Sequence, residues 1–198
     1  MKERPILFNG EMVRAILDGR KTMTRRPMKG AGHSSVTRML DTWRADGTVR
    51  TKEMCGHEAG PFHDCPYGAP GGRLWVRETW MPESEGGIRT GGALYRATDR
   101  AEPDGDCPFR WRQRNHMPRW ASRITLEVTD VRVEWVRAIT HRDALAEGVT
   151  YDVSKDDGAP VARFRTLWDS CYAKRGFGWD AHPWVWVTSF DVAKGGEA

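Results

Sequence analysis

The stretch "SRITLEVTDVRVEWVRAI", residues 122–139, constrains the fold more than any other part of the chain. Ile124, Leu126 and Val128 alternate onto one face, and then the apolar parity switches to Val131, Val133 and Trp135. A strand that keeps one face buried across such a switch must carry an extra residue, here near Thr129–Asp130. Bulges of this kind bend a sheet and let small barrels turn corners. A second strong strand signal, "PWVWVTSFDV" at 183–192, is rich in aromatic and β-branched residues.

Three short helices accompany these strands. In "NGEMVRAILDG", Asn9 suits an N-cap, Met12, Val13, Ile16 and Leu17 recur on one helical face, and Gly19 suits the left-handed terminator. "THRDALAEG" predicts a helix capped by Thr140, with Asp143 at its third position and Gly148 just past its end. "PVARFRTLWDSCYAK" predicts a third helix burying Val161, Phe164, Leu167, Trp168 and Cys171. "GGRLWVRETW" predicts a turn and a strand with Leu74, Val76 and Glu78 on one face, and "GALYRAT" another short strand. Residues 28–70 and 99–118 are polar and aperiodic, and are expected as long loop insertions, the first with one strand near Met39–Arg44. Strands scattered among short helices predict an α+β fold: a small, partly closed β-barrel with helices at its mouth, in one domain over residues 1–198.

The 31 Lys and Arg exceed the 27 Asp and Glu by enough for a formal charge of +4, compatible with an anionic partner but too small to require one. No apolar run approaches the roughly 20 residues that span a bilayer, and no leader-like segment opens the sequence, so a cytoplasmic chain with reduced thiols and no membrane partner is expected. Gly-rich phosphate loops, Ser-His-Asp elbows and H-E-x-x-H helices are missing, which weighs against dinucleotide cofactors and those enzyme classes.

The chemistry-bearing letters cluster at "GRKTMTRR", residues 19–26. Lys21 and Thr24 fall on opposite faces of an ideal strand, so they converge only if the chain turns after Gly19. A desolvated lysine near a hydroxyl can lose its proton and activate that hydroxyl as a nucleophile. Arg20, Arg25 and Arg26 would lower the lysine pKa further and could hold a phosphate. The same letters also suit a cation-decorated helix end followed by a solvated edge strand. Glu147 sits at the negative end of its helix, where a carboxylate is disfavoured by a few tenths of a kcal/mol. It is either a solvent-facing residue or one retained for proton transfer.

"CGHEAGPFHDC" offers Cys55, His57, His63 and Cys65 as a possible tetrahedral zinc staple, or a polar loop with free thiols; catalysis itself calls for no cofactor. "NHMPRWASRI", residues 115–124, could line a pocket mouth with His116, Arg119, Ser122 and Arg123, and with Trp120 as a stacking platform.

In this order the motifs resemble the ASCH-domain proteins of phages and prophages, in the PUA-like superfamily, over about Pro5–Phe190. The signature G-x-K-x-x-E-x-R is matched by Gly19, Lys21 and Arg26, with Thr24 in place of its glutamate. That departure resembles the branch containing an N4-acetylcytidine amidohydrolase, whose motif also reads R-K-T-x-T. The resemblance implies a PUA-type barrel with a cleft where the first helix meets it. It also implies Lys21 as base, Thr24 as nucleophile, Glu147 as the orienting or protonating group, and Arg26 or Arg77 beside the oxyanion. The expected partner is a modified pyrimidine nucleoside or single-stranded nucleic acid. Two other functions stay open: an RNA or modified-base reader, using Arg20, Arg25, Arg26, Arg119 and Trp120, and a metal-independent ribonuclease.

Overall fold

In a computed structural model of the chain, residues 3–30, 38–43, 49–55, 58–85, 88–99, 110–151 and 160–193 are described. The architecture is α+β. A five-stranded sheet is built from β1 (Glu3–Leu7), β2 (Met23–Pro27), β6 (Arg73–Arg77), β9 (Thr125–Trp135) and β10 (Trp184–Val192), in the order β1-β6-β9-β10-β2. β1 pairs with β6 in parallel, and every other pairing in this sheet is antiparallel. Among the described residues the backbone ladder leaves β1 and β2 as edges, so strand pairing there closes no barrel. The Arg26 guanidinium nevertheless reaches from β2 to donate to the Leu7 carbonyl of β1 at 2.7 Å, which ties the two edges together.

The predicted kink is present. Val128 opposes Phe190 and Asp130 opposes Ser189, which leaves Thr129 without a partner in the ladder. The extra residue keeps Leu126, Val128 and Val131 in one core with Ile6, Phe8 and Phe190. β10 is buried on both faces, as its unbroken apolar run requires. Trp184 and Trp186 enter that first core, while Val185 and Val187 enter a second one with Phe164 and Trp168. Each such side chain removed from water contributes roughly 1.5–3 kcal/mol.

Three helices pack around the sheet: α1 (Gly10–Leu17), α2 (His141–Ala146) and α3 (Pro160–Tyr172). The Asn9 side chain caps α1 by accepting from the Met12 amide, and Thr140 with Asp143 forms a complete capping box on α2. The helical faces differ slightly from those expected. Leu17 is 47% exposed while Ala15 is buried, and α3 buries Phe164, Trp168 and Tyr172, with Leu167 and Cys171 only partly covered.

The segment read as an insertion with one strand contains three among its described residues. β3 (Arg38–Trp43), β4 (Val49–Cys55) and β5 (Glu58–Asp64) form an antiparallel meander. Its strands are charged and interrupted by a register shift beside Gly60–Pro61, so they carry little period-2 signal. β7 (Trp80–Glu85) and β8 (Ile88–Tyr95) make a hairpin that ends before Arg96–Thr98, one turn earlier than the sequence suggested. Of the second insertion, the described part pairs Arg112 with Trp80 and buries Met117. No described helix is long and apolar enough to cross a membrane.

Candidate functional site

Two left-handed glycines bring two helix ends together. Gly19 (φ 72°) follows the C-cap of α1, after which the amides of Arg20 and Lys21 both donate to the Ala15 carbonyl. Gly148 (φ 88°) follows Glu147, the C-cap of α2. A Cβ on Gly148 would stand 2.8 Å from that of Ala15 and 3.0 Å from that of Lys21, so only glycine permits this approach. Lys21 and Glu147 pair across the junction as a single antiparallel bridge, and the Thr22 amide donates to the Ala146 carbonyl.

The Lys21 ammonium is buried and spends its three protons on three acceptors: Glu147 Oε2 at 2.7 Å, the Glu147 carbonyl at 2.9 Å and the Met23 carbonyl at 2.7 Å. Burial pushes its pKa down; the Glu147 carboxylate opposes this, while Arg26 and Arg25 add to it. The carboxylate that dipole reasoning found misplaced is therefore held by an ammonium. Arg25 stands behind it, fully buried, with bonds to Asp143 (2.8 Å), Glu134 (3.0 Å) and Glu147 (3.5 Å). Arg132 closes the network on Glu134 and Asp143. Burial would raise the Asp143 carboxyl, but the charge and hydrogen bond of Arg25 hold it below its ordinary value.

Thr24, next to Arg25 on β2, is buried, and its hydroxyl makes no hydrogen bond. Its Oγ1 and that of Thr188, directly opposite on β10, are both enclosed without a partner, as is Arg25 Nε. So the structure joins two of the three residues predicted for catalysis, Lys21 and Glu147, and places the third on β2 with its hydroxyl buried and unbonded.

A cleft of about 620 Å³ lies over Glu147, between α1, the end of α2 and α3, with Arg14, Arg20, Thr150 and Arg163 on its walls. A second cleft of about 550 Å³ adjoins it through the shared walls Met12 and Ser170, and is lined by Arg26, Lys29, Tyr67, Arg114, Tyr172 and Arg175. Arg26 lies over the Phe8 ring at 5.0 Å and donates to Tyr172 Oη at 3.0 Å.

The predicted binding residues divide. Arg20 lines the first cleft, bonded to Asp18 and the Gly148 carbonyl, and Arg26 lines the second. Arg25 is occupied by carboxylates in the interior and is not placed to meet a phosphate. The others tie the 114–125 segment down. Arg77 donates to the carbonyls of Asn115 and Met117, Arg119 pairs with Glu3 at 2.6 Å, and the Ser122 hydroxyl donates to the Val76 carbonyl. Trp120 is 59% exposed and meets Trp80 edge-on. Arg114, Tyr67, Tyr172 and Arg175 were missed because nothing local marks them. Asp143 was seen only as a cap, since its second role depends on Arg25, far away in sequence.

Of the proposed zinc ligands, His57 and the side chain of Cys55 lie outside the described residues. His63 Nε2 is 2.7 Å from the buried Glu53 carboxylate, and burial pushes the Cys65 thiol up to about 11, which keeps it protonated. Among the described residues no group of three or more His, Cys, Asp or Glu is placed to hold a metal ion.

No protein-family model matches the sequence, and no curated protein matches it. Among solved structures it is similar to the crystal structure of protein EF3133 from Enterococcus faecalis V583, described as family DUF984. The alignment covers 100% of this chain and 88% of that one, at 10% identity and a TM-score of 0.44.

Proposed function

We propose that this chain is a nucleoside-directed hydrolase that removes an acyl group from a modified pyrimidine of the N4-acetylcytidine kind. The observation that carries the reading is the buried Lys21–Glu147 pair, assembled from positions 126 residues apart, with Glu147 lining a cleft large enough to admit a nucleoside. The ASCH-like spacing of Gly19, Lys21, Thr24 and Arg26 supports it, and the Arg26 tie between the sheet edges supports a partly closed barrel of the PUA type.

In this reading a ligand entering over Glu147 loosens the lysine from its acceptors. The ammonium gives one proton to water, and neutral Lys21 then takes the Thr24 hydroxyl proton as Oγ1 attacks the acyl carbon; that proton passes to the exocyclic amine as its bond to the acyl carbon breaks. Glu147 holds the ammonium formed in between. Water then cleaves the threonine ester and returns a proton to Thr24.

Incubation with N4-acetylcytidine is expected to yield cytidine, and Lys21→Met/Glu147→Leu is expected to abolish that yield. Wild-type protein that leaves the nucleoside intact over hours defeats the enzymatic reading.

A second reading, a non-catalytic reader of RNA or modified bases, is favoured by one observation. Lys21 and Thr24 are each only 1% exposed, and all three lysine protons are already bound. It predicts salt-dependent retention of single-stranded RNA without turnover.

A further inference from the structure

Building on the nucleoside reading, we propose that the 550 Å³ cleft between β1, β2 and α3 binds the phosphate of a nucleotide, so that the ligand is phosphorylated rather than a free nucleoside. The two adjoining clefts differ in charge. The walls of the first carry Arg14, Arg20 and Arg163 against Glu11, Asp18 and Glu147, a balance of three and three. The walls of the second carry Arg26, Lys29, Arg114 and Arg175 and no Asp or Glu.

These four cations are also unmatched in their contacts. Arg26 bonds only neutral oxygens, those of Tyr172, Leu7 and Arg25. Among the described residues Lys29, Arg114 and Arg175 have no carboxylate partner, while exposed guanidiniums such as Arg20, Arg119, Arg137 and Arg165 each hold one. Four like charges around one concavity repel each other, and an anion placed between them removes that cost.

The geometry favours phosphate over a single carboxylate. Three of the four groups are guanidiniums, whose planar forks match phosphate oxygens in pairs. Tyr172 Oη accepts from Arg26 and keeps its own proton to donate, and Tyr67 adds a second phenol. The turn carrying Arg114 is fixed from below by Arg77, which donates to the Asn115 carbonyl at 2.7 Å. Met12 and Ser170 wall both clefts, so the two are neighbours; in this proposal the base sits over Glu147 and the phosphate among the cations.

Calorimetric titration with cytidine, cytidine 5′-monophosphate, the dinucleotide CpC and inorganic phosphate tests this at low ionic strength. The monophosphate is expected to bind at least about tenfold tighter than cytidine, the scale of one added charge-assisted contact. Inorganic phosphate is expected to compete with it. Arg114→Gln/Arg175→Gln alters two exposed side chains, and is expected to erase the monophosphate's advantage while leaving cytidine binding unchanged. A gain by CpC equal to that of the monophosphate assigns the site to a strand's backbone, and a gain by the monophosphate alone assigns it to a mononucleotide. Equal affinities for cytidine and its monophosphate, or an advantage that survives the double variant, overturn the proposal. Phosphate binding that depends on these arginines, in a protein that ignores every nucleoside, leaves the anion site standing and removes the nucleoside reading.

Discussion

Glu147 and Glu78 are both buried carboxylates, 3% and 1% exposed, and each is paired with a cation, yet the two pairs are built for different work. Glu78 faces Arg123 through a two-pronged contact, Nε to Oε1 at 3.0 Å and Nη2 to Oε2 at 3.1 Å. The same guanidinium stacks on the Tyr95 ring at 3.9 Å and donates to Thr98. An arginine does not give up its proton in a protein, so this pair is a strut that fastens β9 to the β6–β7 turn. Glu147 instead faces a lysine whose charged form is disfavoured by burial. A pair whose cation can become neutral is one that can move a proton. The difference lies in the cation, not in burial or in a neighbouring cleft, since Glu78 also lines one of about 360 Å³.

The largest effect should come from breaking the Lys21 pair on one side only. Lys21→Met leaves Glu147 buried with Arg25 alone at 3.5 Å, and should cost about 3 kcal/mol in denaturant unfolding. Lys21→Met/Glu147→Leu should recover most of that stability while remaining inactive, which separates the structural from the chemical role of the pair. Next in size, Gly148→Ala should cost roughly 2 kcal/mol or more, because it adds a clash with Ala15 and Lys21 to an unfavourable positive φ. Gly176→Ala, with equally positive φ but open space around it, should cost about 1 kcal/mol and serves as the control.

Glu78→Gln should lower stability by about 1–2 kcal/mol and leave turnover unchanged, as expected of a strut. An equal loss of turnover in this variant would erase the contrast between the two acids.

The smallest effect is in pH dependence. The folded pKa of Lys21 lies below its ordinary 10.5, so between the two values the unfolded chain holds more protons and stability rises with pH. That of Glu78 is raised above 4.5, chiefly by burial, so between those values the folded chain holds the extra proton and stability falls as pH rises. Unfolding curves of wild type against Lys21→Met near pH 10, and against Glu78→Gln near pH 5, should show these opposite slopes.

What could be read from the letters was local. The Thr129 bulge, the Asn9 and Thr140 caps, the terminating glycines and the alternation through Leu74, Val76 and Glu78 each declare themselves within a few residues. The pairing of Lys21 with Glu147 was reached only through a motif resemblance, because no local pattern links residues so far apart. Arg25 was misassigned to a phosphate for the same reason: its carboxylates arrive from β9 and α2. The β3–β5 meander escaped because its strands carry charged residues, such as the paired Arg50 and Asp64, where an alternating apolar face was sought.

Titration of the Lys21 side chain by NMR, in wild type and in Glu147→Gln, tests most directly whether this pair moves a proton or merely braces the fold. Loss of charge below pH 10.5 in the wild type, displaced lower still once the carboxylate is neutralised, is the predicted result. A lysine that titrates at or above its ordinary value, or that is indifferent to the loss of the Glu147 charge, would contradict the account.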